Sequence, residues 1–381
     1  MTDLLRTRPG TTQAMMAVFD DAATLAHALA FEAELARAQA ANGVISSDAA
    51  EAIARVCRQS IISADELANR AALAGTLAIP LVNQLRGALD ADAASALHKG
   101  ATSQDISDTV LMLQVAQAGD LLLNDLDRIG CALAMIAERY AGSVAVGRTL
   151  LQDARPVGFG LRIAHWYAGT VEAAGRLRFE ISAGSKIQFG GAAGTRAGLQ
   201  GKGAAIAAHM ADALGLACGP PWHSRRGGVV AIGAAVGIVI GTLGKMARDI
   251  SLLAQNRVGE AREPIVPGRG GSSAMAHKRN PTGCQIALSA AVRAPGLVAG
   301  LLTGMPAEEE RGLGGWQAEG PTIAELFLLA AGSADAMATV AEGLEVDEGA
   351  IAANLAEAHI GDDIGESVAI VAAILNHERV R

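Results

Sequence analysis

The feature that most constrains the fold is one apolar stripe that begins near residue 111 and ends near residue 140. Its side chains recur at spacings of three and four residues for about eight turns of an α-helix. A helix on the order of 45 Å long cannot bury such a stripe in a small domain. The stripe therefore predicts an elongated helical bundle, of a kind that often associates with copies of itself. Its members are Leu111, Val115, Ala118, Leu122, Leu126, Ile129, Leu133, Ile136 and Tyr140.

The composition also favours helices, and no stretch of the chain shows the alternation typical of a β-strand. Hydrophobic residues make up 51% of the 381 residues and aromatic residues only 3%, so alanine and aliphatic residues must form the core. These residues suit closely packed helices, and the length allows two or three structural regions. We expect an all-α protein with a helical domain over 1–95, a central bundle over 96–344 and a short helical region over 345–381.

The charge and the cysteines limit the possible partners. A net charge of −8 argues against general nucleic-acid binding, although a local basic pocket can still attract an acidic substrate. The four cysteines are far apart, and none has a histidine nearby at metal-ligand spacing. We therefore expect buried thiols in a reducing cytoplasm and no metal site. They are Cys57, Cys131, Cys218 and Cys284.

Two apolar stretches are candidates for an export or a membrane signal. The patch Ala14–Phe19 is too short for the core of a signal peptide. The uncharged run from Gly227 to Gly244 approaches membrane-spanning length, but glycines recur through it and would let other helices approach closely. A helix buried in a protein bundle is favoured, and we expect neither export nor a membrane.

Three polar segments interrupt the apolar helices: 98–109, 147–156 and 268–281. The third combines glycines that let backbone N–H groups approach an anion, two adjacent hydroxyls and a Lys-x-Asn pair. These groups predict a mobile anion-binding loop, while the alternative is a solvated basic loop. The Gly-rich turn at 188–195 lacks the preceding strand that a nucleotide-phosphate site requires.

Together the three segments resemble the signature regions of the fumarase/aspartase superfamily, and the segment 268–281 is close to its GSSxMPxKxNP signature. The resemblance extends from about residue 20 to about residue 345. It implies an all-α fold with a long-helix bundle and small helical end domains. It also implies a homotetramer whose active sites are each assembled from three subunits.

Within that superfamily, the segments 98–109, 188–195 and 310–319 resemble the cycloisomerase branch, which closes a lactone ring on a carboxylated muconate. The resemblance implies a small polycarboxylate substrate and no cofactor. It assigns proton exchange at the carbon beside a carboxylate to Ser272, and binding of the carboxylate that accumulates charge to Lys278 and Asn280. The alternative for His98 and for His277 is a solvated side chain. Further contacts to substrate are assigned to Thr102, Ser103, Thr149, Gln152, the backbone of Ser273, His98 and His277.

Departures from the superfamily pattern separate the possible reactions. Leu150 stands where many of its lyases have a histidine that handles the proton of a leaving amine, whereas a carboxylate needs no such acid. Ala276 replaces the proline of the signature, and Glu309 stands where relatives usually have histidine. A fumarate-releasing C–N lyase such as adenylosuccinate lyase remains the alternative enzyme. A catalytically silent helical oligomer is the alternative outside catalysis.

Overall fold

The computed structural model describes residues 4–272, 274, 275 and 278–379 of the chain. Helices dominate it, and two antiparallel pairs of short strands complete it. The helices are α1 (Leu4–Thr7), α2 (Gln13–Val18), α3 (Asp21–Ala41), α4 (Ser47–Gln59), α5 (Ala64–Ala74), α6 (Ala78–Arg86), α7 (Ala91–Ala96), α8 (Ser103–Arg139), α9 (Phe159–Gly184), α10 (Gly203–Leu214), α11 (Gly227–Leu253), α12 (Thr282–Gly304), α13 (Gly315–Glu342), α14 (Glu348–Ala358) and α15 (Ser367–Arg379). The strands are β1 (Val144–Thr149), β2 (Gln152–Gly158), β3 (Ala261–Arg262) and β4 (Glu345–Val346).

The apolar stripe lies on α8, a helix of 37 residues, as its periodicity predicts. This helix packs against α9 and α13, while α11 lies against α9, α12 and α13. The five long helices form the predicted elongated bundle, and alanine, leucine, isoleucine and valine provide most of its buried side chains. The all-α fold class is therefore confirmed.

The glycines of α11 permit close packing on α12. A Cβ atom on Gly233 would lie 2.2 Å from the side chain of Leu301, and one on Gly244 would lie 2.7 Å from Ala291. Larger side chains at these positions would force the two helices apart. The run that resembled a membrane span is thus a bundle helix with neighbours on several sides.

Among the described residues, four stretches have the length and composition to cross a membrane. In α11 and α13, 56% and 78% of the apolar window is buried inside the molecule. In α12 only 22% is buried, so this helix presents a largely apolar face to the outside. The four stretches are Gln13–Ala41, Gly227–Leu253, Thr282–Gly304 and Gly315–Glu342.

Smaller helices cover the two ends of the bundle. At one end α3 packs on α4, α8 and α10. Asp20 caps the N-terminus of α3, because its carboxylate accepts from the backbone N–H of Ala23 at 2.8 Å. At the other end α14 and α15 pack against β1 and α9. The division of the chain at residues 95 and 344 stays a prediction.

Two expectations are wrong in detail. The segment 147–156, expected to be a break without strand, lies in the antiparallel hairpin of β1 and β2, and a second pair joins β3 to β4. Cys57 and Cys284 are buried, but Cys131 and Cys218 are exposed, because the outward faces of helices and loops also carry single apolar residues.

Candidate active site

The first polar segment is fixed by a buried carboxylate at the beginning of α8. Asp105 accepts hydrogen bonds from the backbone N–H groups of Thr102, Gly190 and Gly191, each at 2.9 Å, and lies 2.8 Å from Nε2 of His223. Such a carboxylate caps the helix and has no capacity left for substrate. Thr102 and Ser103, which are only partly buried, are therefore held at a rigid helix N-terminus.

A second buried network lies beneath this terminus. Arg226 is fully buried and donates two hydrogen bonds of 2.8 Å to Asp108 and further ones to Glu319. Burial lowers the pKa of the Arg226 guanidinium, but the two carboxylates outweigh burial and raise it above its usual range. Gln188 also donates to Asp108 at 3.0 Å. This network ties α8, α11 and α13 together behind Thr102.

Arg311 is a candidate site residue that the sequence reasoning did not assign. Its guanidinium donates to Thr102 Oγ1 at 2.7 Å, to Gln104 Oε1 at 3.4 Å and to Ser103 Oγ at 3.5 Å. Within the part of the chain that the structure describes, these partners and the carbonyl of Ala192 are all neutral oxygens. An arginine beside hydroxyls and without a carboxylate partner suits an anionic ligand. Arg311 lies in the segment 310–319 that resembles the cycloisomerases, and this likeness could have identified it as a site residue from the sequence.

His98 lies beside the same segment and is mostly buried rather than solvated. Its side chain is 17% exposed, and its Nδ1 lies 2.6 Å from Oε1 of Glu32 on α3. Burial lowers the pKa of His98, but the hydrogen bond to Glu32 and the negative charges of Glu32 and Asp105 together outweigh burial, so the pKa is raised. His98 is therefore not a fully solvated side chain, and its contact with substrate stays a prediction.

The second polar segment forms the tip of the β1–β2 hairpin. Thr149 pairs with Gln152, and between them Leu150 and Leu151 have φ of 53° and 64°. Two consecutive residues with positive φ are typical of the tight turns that suit hairpins, although glycine and asparagine usually occupy them. Thr149 and Gln152 are exposed, and Leu150 is 96% exposed, so it is not a core residue. Arg148 holds the hairpin through Glu260 at 2.7 Å.

The third segment is a loop with a closed neck. Gly270 has φ of 77°, and its carbonyl accepts from the backbone N–H of Asn280 at 2.8 Å, while Asn280 Nδ2 donates to the carbonyl of Gly271 at 3.1 Å. A side chain at Gly270 would meet the backbone of Asn280 at 2.8 Å. Asn280 therefore closes the neck of the loop here, while Lys278 is exposed.

Ser272 lies inside this loop with its hydroxyl oxygen at the focus of backbone donors. Its Oγ accepts from the N–H groups of Met275 at 3.1 Å and Ala274 at 3.3 Å. Such donors stabilise an alkoxide more than a neutral hydroxyl, which favours proton exchange by serine. The expected contacts of Ser273 and His277, and the effect of Ala276, lie outside the described residues.

The loop is anchored where it enters α12. The carboxylate of Glu263 accepts from the backbone N–H of Cys284 at 2.7 Å and of Gly283 at 3.0 Å. Arg279 donates to the carbonyl of Glu263 at 2.7 Å and to the carboxylate of Glu345 at 3.1 Å. These bonds fix the end of the loop, while Ala274, Met275 and Lys278 are exposed.

The three segments do not meet within one chain. Thr102 precedes α8 and the hairpin follows it, so the 37 residues of that helix place them at opposite ends, about 55 Å apart along the axis. The loop precedes α12 and Arg311 follows it, which separates these two in the same way. One end of the bundle thus carries Thr102, Ser103, His98 and Arg311, and the other carries Thr149, Gln152, Ser272, Lys278 and Asn280.

Among the described residues, no three side chains of His, Cys, Asp or Glu lie close enough together to hold a metal ion.

Comparison with known proteins identifies the family. The model of a lyase family matches residues 7–296. Relatives named 3-carboxy-cis,cis-muconate cycloisomerase occur in Pseudomonas aeruginosa and Bradyrhizobium diazoefficiens. The first is 44% identical, with 94% of this chain and 79% of the relative covered, and the second is 43% identical, with 91% and 78% covered. The nitrosuccinate lyase of Streptomyces davaonensis is 38% identical, with 93% and 77% covered.

A solved structure agrees with these relatives. The 3-carboxy-cis,cis-muconate lactonizing enzyme of Pseudomonas putida superposes with a TM-score of 0.92 at 34% identity, covering 99% of both chains. The match to the family model, the relatives and this shared helical bundle confirm the resemblance read from the loop motif. The chain therefore belongs to the lyase family of the fumarase/aspartase type.

Proposed function

We propose that this protein is a 3-carboxy-cis,cis-muconate cycloisomerase, an intramolecular lyase of aromatic-compound degradation in the cytoplasm. It would convert 3-carboxy-cis,cis-muconate to 4-carboxymuconolactone. The observation that carries the proposal is that four relatives with this enzyme name are 44%, 43%, 40% and 39% identical over most of the chain.

The reaction defines what the site must do. One carboxylate oxygen of the muconate attacks the β-carbon of a conjugated acid, and the electrons of the double bond move into the far carboxylate. A proton taken up from the site is then delivered to the α-carbon. The demand is to stabilise negative charge on that far carboxylate, which preorganised hydrogen-bond donors can do without metal or cofactor.

The residues proposed for these steps lie at both ends of the bundle. Ser272 is the proton donor, because backbone N–H groups at its Oγ stabilise the alkoxide left behind. Lys278 would meet the carboxylate that accumulates charge. Arg311 would bind a second carboxylate, supported by its neutral partners Thr102 and Ser103. The remaining proposed contacts are Thr149, Gln152, Asn280 and His98, together with Ser273 and His277, which lie outside the described residues.

Leu150 supports the cycloisomerase over an amine lyase. It projects from the hairpin tip, so the side chain offered at this place is an exposed aliphatic group rather than an imidazole. An amine leaves poorly without an acid, whereas ring closure by a carboxylate expels nothing. The second candidate is a fumarate-releasing C–N lyase, because a nitrosuccinate lyase is among the relatives.

A complete site requires more than one copy of the chain. We infer a homo-oligomer, a tetramer by resemblance, in which antiparallel copies bring the loop of one chain to Thr102 and Arg311 of another. The separation of these groups by a bundle helix supports the arrangement. The largely exposed apolar face of α12 is a surface that such copies could bury.

The test is to add purified protein to 3-carboxy-cis,cis-muconate and to follow the loss of diene absorbance together with the lactone formed. Formation of the lactone is expected. Release of fumarate from a succinyl-amine substrate, without any lactone from the muconate, would establish the second candidate instead. Activity on neither compound would favour a silent oligomer.

A further inference from the structure

The carboxylate of Glu32, on α3, is buried against the first polar segment. Glu32 is 1% exposed, and its Oε1 lies 2.6 Å from Nδ1 of His98. Its second oxygen, Oε2, is buried without a hydrogen-bond partner in the part of the chain that the structure describes. Burying a carboxylate is costly unless it is fully paired, so maximal stability alone does not account for glutamate here.

The backbone at His98 is held as firmly as the ring. His98 has φ of 60°, a left-handed conformation that is uncommon outside glycine, and its carbonyl accepts from the backbone N–H of Ala101 in a tight turn. Gln39 lies two turns beyond Glu32 on the same face of α3 and donates to the carbonyl of Lys99 at 2.5 Å. One helix face therefore fixes both the ring of His98 and the turn that leads to Thr102.

The charges around the ring favour its protonated form. Glu32 from α3 and Asp105 from the start of α8 attract the imidazolium, and Arg86 from α6 opposes it. Burial lowers the pKa of His98, but the bond to Glu32 and these charges raise it overall. A protonated ring that uses Nδ1 for Glu32 keeps its Nε2–H for a ligand.

We propose that Glu32 is a positioning residue, which orients His98 through Nδ1 so that Nε2–H donates to a substrate carboxylate beside Thr102, Ser103 and Arg311. The inference deepens the proposed function and rests on it. Glu32 would not touch substrate. It would act through the ring and keep the ring charged, so that His98 and Arg311 form two cationic donors for two carboxylates.

The alternative role for Glu32 is a structural tie between α3 and the turn. Glu32→Gln separates the two roles, because the amide oxygen can still accept from Nδ1 but the charge is gone. Glu32→Asp keeps the charge on a shorter arm. Gln39→Leu is the matched control, since it removes the neighbouring tie from the same helix face without touching the ring of His98.

Glu32→Gln should raise KM roughly 10- to 100-fold, the range for a weakened bond to a charged group, with a smaller change in kcat. Because the variant lowers the pKa of His98, the alkaline limb of kcat/KM should move to lower pH, and activity should recover at acidic pH. In Glu32→Asp the alkaline limb of kcat/KM should lie between that of Glu32→Gln and that of the wild type. Gln39→Leu should lower the Tm and leave the limb in place.

A second readout does not depend on turnover. Histidine NMR on ¹³C-labelled oligomer, with His98→Gln to identify the signal, gives the pKa of His98 and its response to tricarballylate, a saturated tricarboxylate. Glu32→Gln should lower this pKa and weaken tricarballylate binding roughly tenfold. If wild-type protein forms no lactone, the proposed function fails while this readout still judges Glu32. An unmoved pKa and unchanged binding in Glu32→Gln, with only the Tm lowered, would overturn the positioning role.

Discussion

At the scale of the residue, the chemistry depends on which groups surround a weak acid or base. A serine hydroxyl exchanges protons poorly in water, but Ser272 Oγ lies where two backbone N–H groups converge. The donors belong to the loop itself, so the loop creates its own electrostatic environment. Lys278, exposed on the same loop, can add its charge when a polycarboxylate is bound.

Replacing Ser272 by alanine should lower kcat by roughly 10²- to 10⁴-fold, because the proton donor is lost. The backbone of the loop can keep its conformation, so the Tm should change little. Steady-state kinetics and thermal unfolding check both expectations. Ser47→Ala, at an exposed position on α4, is the control and should behave as wild type. Undiminished turnover in Ser272→Ala would show that another group delivers the proton.

At the scale of the element, the loop is controlled by the helix that follows it. Glu263 places its carboxylate on the first backbone N–H groups of α12, where the partial positive charge of the helix terminus also favours an anion. This cap fixes one end of the loop, while the hydrogen bonds of Asn280 close its neck.

Glu263→Gln should therefore destabilise the protein by about 1 kcal/mol, as loss of a charged helix cap does. It should also raise KM, since the loop loses part of its anchor. Thermal unfolding and kinetics measure the two effects. The control is Glu357→Gln, at an exposed position on α14, which should change neither the Tm nor KM. Equal effects in both variants would contradict the special role of the cap.

At the scale of the whole molecule, the length of the bundle decides where catalysis can occur. A rigid helix of 37 residues keeps Thr102 away from the hairpin, and no loop closure spans such a distance. In the proposed arrangement, sites formed between antiparallel copies bring these groups together, and activity would then depend on a stable oligomer.

Mixing two inactive variants tests this arrangement. Ser272→Ala and Arg311→Met each damage one end of the bundle, so each homo-oligomer should be nearly inactive. After dissociation and reassembly of a 1:1 mixture, roughly a quarter of the sites should combine an intact loop with an intact Arg311 if these come from different chains. Activity of the mixture near a quarter of wild type is expected. No recovery, in hybrids verified by mass, would place both groups in one chain.

The sequence by itself determined the long helices and the reactive loop. Helical periodicity along α8 is a local property, and so are the conformational freedom of glycines and the residue order of the loop motif. For this reason the all-α bundle and the lyase family could both be predicted before any contact was known.

Only the tertiary structure decided how the polar residues pair. Arg226 bonds to Asp108 and Glu319. Arg311 bonds to Thr102, and Glu32 bonds to His98. The two members of each pair are separated by dozens of residues in the sequence. The hairpin at Leu150 was missed because Leu150 and Leu151 adopt the positive φ of its turn, where glycine or asparagine would have indicated a hairpin. Long-range pairing depends on how helices of fixed length pack, and that geometry is absent from any local pattern.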